Sequence, residues 1–225
     1  MLMPGQFRKA AATGMLLALA CAGTAQAASI SYFLDQSDKL ADGTNYLKVT
    51  ISDGVAGAVN FTVDTLAALN DTYGQNDHFG IVKFAFNAVP GIPLSLANVD
   101  ISSLPYGWVT GQHMDMDGFG NYDMRLRITD AHTPRSPSIS FSVTGIDFDV
   151  LASYVDLAIN STEGPSLFSA RVGGLNLPCA RSDWSCNSGD AFFGGASPIP
   201  APPAIWLMGT AVAGLVARRF RKTAA

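Results

Sequence analysis

The last twenty-nine residues, Ser197 to Ala225, hold three parts in a fixed order, and that order is expected to set them apart from a folded core. A proline cluster (Pro198, Pro200, Pro202, Pro203) leads into the uncharged apolar run Ala204 to Ala217, and Arg218, Arg219, Arg221 and Lys222 follow at once. Proline is tolerated in the first turn of a helix and breaks it further in, so the cluster sets where a hydrophobic helix can begin. Basic residues at its far end hold that end in the cytoplasm. A helix over 203–217 would be about 22 Å long against a hydrocarbon core of roughly 30 Å, which is short. Trp206 suits the interface and the arginines can snorkel, so the segment spans with local thinning. The competing reading is an apolar core helix; the unbroken apolarity and the abrupt basic stop stand against it.

The opposite end is also a targeting segment. Arg8 and Lys9 form a basic n-region, residues 10–22 an apolar h-region, and Ala25-Gln26-Ala27 a small-x-small cleavage site, the order of a secretory signal peptide. Cleavage after Ala27 leaves Ala28 first. Acylation of Cys21 is the alternative, but Ala18-Leu19-Ala20 fits a lipobox poorly.

Pro200-Ala201-Pro202-Pro203-Ala204-Ile205-Trp206-Leu207-Met208-Gly209-Thr210, with the apolar stretch and Arg218-Arg219-Phe220-Arg221-Lys222 behind it, resembles the PEP-CTERM sorting signal of Gram-negative bacteria. The likeness covers about the last twenty-five residues. Ala201 stands where glutamate is common, while Trp206, Leu207 and Gly209 keep the Trp-Leu-x-Gly pattern of a variant that lacks the acid. The resemblance implies a membrane-bound precursor, an exosortase-type processing enzyme as partner, and release to the cell envelope, surface or exopolysaccharide matrix.

With both ends set aside, the expected organisation is a signal peptide at 1–27, an ectodomain at 28–186, a Gly/Ser/Pro linker at 187–198 and the sorting segment at 199–225. Six of the 14 basic residues lie in the targeting segments and none of the 18 acids do, so the exported part keeps eight basic residues and a formal charge of −10. Seventeen of its acids are aspartate, a residue of turns and loops. So acidic a composition argues against nucleic-acid and anionic-lipid partners, which need basic patches.

The ectodomain reads as all-β. Apolar and polar residues alternate over 46–52, 59–63, 83–87, 124–129 and 138–143, the period of half-buried strands. Segments 29–34, 106–110, 155–160 and 167–172 are further candidates, giving about nine strands and a single sandwich or jelly-roll-like domain. Residues 65–73 are the one short helix expected, with Asp64 as its cap. Cys179 and Cys186, in an exported loop, read as a disulfide.

Asp115-Met116-Asp117-Gly118-Phe119-Gly120-Asn121-Tyr122-Asp123 is the stretch that looks most like a metal loop. Asp115, Asp117 and Asp123 fall at calcium-ligand positions, but Phe119 and Leu126 occupy two others, so the expected role is an Asp/Gly turn before a strand, with Ca2+ as the weaker alternative. His113 reads as a solvated turn residue, since neither Gly-x-Ser-x-Gly nor His-Glu-x-x-His occurs and the histidines scatter at 78, 113 and 132. The expectation is therefore a structural or interaction protein without catalysis. The alternative is a secreted carbohydrate-binding or carbohydrate-active protein, with Tyr106, Trp108, Phe119 and Tyr122 as a sugar platform.

Overall fold

The computed structural model describes residues 28–74, 78–90, 94–95, 97, 99–146, 150–177 and 189–199. The expected signal peptide with Ala25 and Ala27, the expected disulfide pair Cys179 and Cys186, and the expected sorting segment from Pro200 onward lie outside the described residues. So does 203–217; among the described residues no helix is long and apolar enough to cross a membrane.

Strand alternation translates directly into two antiparallel sheets. The first contains β1 (Ser29–Leu34), β3 (Leu47–Asp53), β4 (Val59–Thr65), β6 (Asp100–Ser102), β9 (Ser138–Thr144) and β12 (Ser197–Pro198), in the order β12-β1-β3-β4-β9-β6. The second contains β2 (Gln36–Ser37), β5 (Gly80–Phe86), β7 (Trp108–Asp115), β8 (Asn121–Ile128), β10 (Phe168–Leu175) and β11 (Gly189–Gly195), in the order β2-β11-β10-β5-β8-β7. Leu47, Val49 and Ile51 of β3 point inward, as do Phe61 and Val63 of β4, while the residues between them face out.

The inward faces of the two sheets meet through aromatic rings. Phe61 stacks on Phe141 of its own sheet at 4.9 Å and reaches Phe86 of the other at 5.0 Å. Tyr154, from the 3-10 turn Leu151–Tyr154, meets Phe61 edge-on at 5.1 Å, and Tyr46 reaches Phe193 at 5.2 Å. Offset and edge-on pairs of this kind each add about 0.5–1.5 kcal/mol beyond the area they bury.

Three expectations are corrected. Most of the stretch expected as a linker at 187–198 is sheet: its described part, 189–198, holds β11, inside the second sheet between β2 and β10, and β12, which pairs with β1. Its glycines serve close approach rather than flexibility: a Cβ on Gly195 would collide with the Phe33 carbonyl, and one on Gly194 with the Phe119 ring. The folded unit therefore extends past 186 to the proline cluster. Second, 155–160 is not a strand. It carries one bridge, Ile159 to Asn121, and Ile159 is 65% exposed.

Third, helix α1 (Ala67–Tyr73) starts after Leu66 and has no side-chain cap. Asp64 is still inside β4, where its carboxylate accepts a 2.6 Å hydrogen bond from Ser138 Oγ. The strand wins because β4 continues to Thr65, paired with Leu47 and bonded through its hydroxyl to the Pro137 carbonyl at 3.0 Å.

Candidate functional site

The outer face of the second sheet gathers four of the eight basic side chains of residues 28–199. With Phe84, Leu126 and Ala170 turned into the core, Lys83 on β5, Arg125 and Arg127 on β8, and Arg171 on β10 turn outward. Register then aligns three of them: Arg171 stands opposite Lys83, and Lys83 opposite Arg127. Arg125 is two places further along β8, and Gly111 on β7 leaves room for its guanidinium. A register shift beside Arg171 leaves Val82 without a partner and turns it to the same side as Lys83.

Like charges directly opposite one another across strands repel. Asp190 of β11 forms an ion pair with Arg171, and among the described residues it is the only carboxylate so paired with the row. The Phe192 ring lies 5.7 Å from Lys83 Nζ and 5.4 Å from the Arg171 guanidinium carbon, so both cations sit over its face. Partial burial, first, and then Arg171, Arg125 and Arg127 hold the Lys83 ammonium below the ordinary lysine value, with Asp117 opposing. Burial and then Arg127 lower Arg125 as well. The Nε atoms of Arg125 and Arg171 are buried without a hydrogen-bond partner.

A groove of about 280 Å³ lies along this row, between Lys83, Arg127 and Arg171 on the sheet and the 129–135 loop. Arg135 closes its far side, donating to the His78 carbonyl at 3.0 Å. Asp130 also lines it, but its Oδ1 already accepts the backbone N–H groups of His132 at 2.7 Å and Thr133 at 3.1 Å. The chain's net acidity thus conceals a local basic patch, the feature that composition alone had argued against.

The residues singled out from the sequence are placed otherwise. Asp115 ends β7, Asp117 sits in the hairpin turn at φ 43°, and Asp123 lies in β8 with Oδ2 3.4 Å from the Ala88 amide. Among the described residues, no group of three or more His, Cys, Asp or Glu side chains is placed to hold a metal ion. The turn is shaped by Phe119, which is fully buried with Ala85, Met116 and Tyr122 in a small second cluster.

That burial also dismantles the aromatic platform. Tyr106 is 93% exposed, but Trp108, Phe119 and Tyr122 are buried, and the Tyr122 hydroxyl donates to Ser166 Oγ at 2.8 Å. His113 is exposed as expected, yet it lies in strand β7 at φ 49° rather than in a turn. It borders a second cavity, about 320 Å³, beside Asp123 and Asp156. There the Asn87 side chain accepts from the Asp123 amide at 2.7 Å and donates to the Leu157 carbonyl at 3.2 Å, tying β8 to the 155–160 segment.

The cation row was not singled out from the sequence, although Lys83, Arg125 and Arg127 occupy the polar positions of two strands recognised by alternation. Phe192, within the supposed linker, gave no such signal. Comparison with known proteins finds no matching family model, no matching curated protein and no matching solved structure.

Proposed function

We propose that this chain is an exported protein of the cell surface or exopolysaccharide matrix, sorted by its PEP-CTERM-like tail and acting there by binding rather than catalysis. The observation that carries the reading is how the folded unit sits between the two targeting segments. β1 begins at Ser29, two residues after Ala27, and pairs with β12, whose Pro198 stands two residues before Pro200. Both segments can leave without taking a strand with them. In this reading Pro200, Ala201, Pro202, Trp206 and Gly209 form the motif an exosortase-type enzyme recognises, and Arg218, Arg219 and Arg221 stop transfer. The two sheets form a jelly-roll-like sandwich, and a Cys179–Cys186 bridge closes part of the connection from β10 to β11.

A carbohydrate-binding role at the surface is the second reading, favoured by the basic groove with Phe192 beside it. Fold alone does not choose between binding and carbohydrate chemistry.

Deleting 200–225 tests the sorting role. The truncated protein should melt as cooperatively as the processed form, because no described strand is lost, while its membrane-bound precursor and matrix destination disappear. Deletion from 187 onward should instead unfold the domain, since it removes β11 with the buried Phe193. Unchanged localisation after the shorter deletion overturns the proposal.

A further inference from the structure

In a domain of formal charge −10, four cations stand side by side on one sheet face, and among the described residues only Arg171 has an ion-pair partner. Neighbouring strands lie about 5 Å apart, so Arg171, Lys83 and Arg127 form a row about 10 Å long across β10, β5 and β8. Their repulsion opposes folding. Two buried guanidinium Nε donors lack acceptors, and an unmet buried donor costs more than a hydrogen bond returns. The bulge that brings Val82 beside Lys83 is a device that re-aims side chains at sites. An anion in the groove would offset the charge of Lys83, Arg127, Arg135 and Arg171, which line it.

The geometry points to a carboxylate-bearing polysaccharide as that anion: we propose that the groove binds an acidic glycan chain, Lys83 and Arg127 meeting its carboxylates, with Arg135 and Arg171 as further donors and Val82 as apolar support for a sugar ring. This inference rests on the matrix reading above and names its ligand class. Asp190 already pairs with Arg171, but Lys83 and Arg127 on neighbouring strands and Arg135 across the groove remain, which favours a polymer with anions in series over a free sugar acid. Guanidinium groups match carboxylates in a planar, two-point fashion. Duplex nucleic acid fits less well, since it carries a charge every ~1.7 Å of its axis and requires a broad basic surface. Here the groove of about 280 Å³ holds four cations, Lys83, Arg127, Arg135 and Arg171, beside Asp130 and Asp190, and aspartates dominate the rest of the chain's charge. Single strands bind on exposed aromatic platforms, whereas Phe192 already lies beneath two cations.

The test uses the full chain purified in detergent and four probes: a labelled oligogalacturonate, a neutral glucan oligomer of equal length, free galacturonate and a single-stranded oligodeoxynucleotide. Oligogalacturonate should bind, more tightly than free galacturonate, and weaken as salt rises. Lys83→Gln and Arg127→Gln should each weaken it about tenfold, the scale of one charge-assisted hydrogen bond. Lys48→Gln removes the same charge from the outer face of the first sheet and should leave affinity unchanged. Thermal melts of the variants show that they fold. Equal binding of the neutral oligomer, tighter binding of the oligodeoxynucleotide, no binding by the wild type, or loss of affinity with Lys48→Gln matching that with Lys83→Gln each overturn the inference. If oligogalacturonate fails while the tail still directs the protein to the matrix, only this inference falls. If tail deletion leaves localisation unchanged, the reading beneath it falls instead.

Discussion

The outer faces of the two sheets follow the same alternation and end as chemical opposites. On the first sheet, short polar side chains pair across strands: Ser31 with Thr50 at 3.0 Å, Thr62 with Ser140 at 3.2 Å, and Ser142 donating to Asn60 at 2.7 Å. Lys48 stands opposite Asp64 in the register. This face satisfies itself. At corresponding outward positions the second sheet holds Arg171, Lys83 and Arg127, which have the register of a ladder and the charges of a repulsive one. A closed ladder contributes its polar groups to the fold, whereas a row of like charges keeps them for something outside it.

The comparison assumes one interior beneath both faces, and Phe61→Ala tests that with the largest expected effect. Phe61 is fully buried and touches Phe141 on its own sheet, Phe84 and Phe86 on the other, and Tyr154 at the edge. Its truncation should cost about 3–5 kcal/mol in urea unfolding, the range for a buried phenylalanine, with a single transition. Two separate transitions, or a cost below about 1 kcal/mol on that scale, would mean that the sheets do not share a core.

Much of this architecture was legible because alternation is a local signal. Segment 29–34 coincides with β1, and 46–52, 59–63, 83–87, 124–129 and 138–143 each overlap one strand closely. Glycine obscured β11: Gly189, Gly194 and Gly195 surround Phe192 and Phe193, so propensity pointed to loop while the sheet used the missing side chains for close packing. Register is not local at all. Forty-four positions separate Lys83 from Arg127, and a further forty-four separate Arg127 from Arg171, so only the pairing of β10, β5 and β8 makes them neighbours. Net charge averages over the whole surface and therefore argued against the patch that pairing creates. The sugar platform failed for a related reason: the side that Phe119 takes depends on the hairpin folding onto Gly194 of a distant strand.

Exchanging chemistry between the faces should give effects of opposite sign. Thr62→Ala removes the hydroxyl that meets Ser140 and should lower stability by about 0.5–1.5 kcal/mol, the net worth of one hydrogen bond. Lys83→Thr replaces the middle cation of the row with a β-branched hydroxyl residue and should raise stability by about 0.2–1 kcal/mol through relief of cross-strand repulsion. Urea unfolding at low ionic strength measures both. Destabilisation by Lys83→Thr equal to that by Thr62→Ala would make the second face a structural ladder like the first, and the contrast between them would vanish.

The smallest expected effect is in the pH dependence of the same contrast. Burial, followed by Arg171, Arg125 and Arg127, lowers the folded-state pKa of Lys83, while the unfolded chain keeps a lysine near its ordinary value of about 10.4. Between those two values the unfolded chain binds more protons, so this lysine makes stability rise with pH. Below both values its penalty is complete and constant. The stability advantage of Lys83→Met over the wild type should therefore be steady near neutrality and shrink as pH climbs toward 10.4. The matched difference cancels the tyrosines and other groups that titrate in the same range. A constant gap for Lys83→Met would mean that the row exerts no repulsion on its central member. Oligogalacturonate should erase the gap at neutral pH, because a bound carboxylate favours the charged ammonium that its cationic neighbours disfavour.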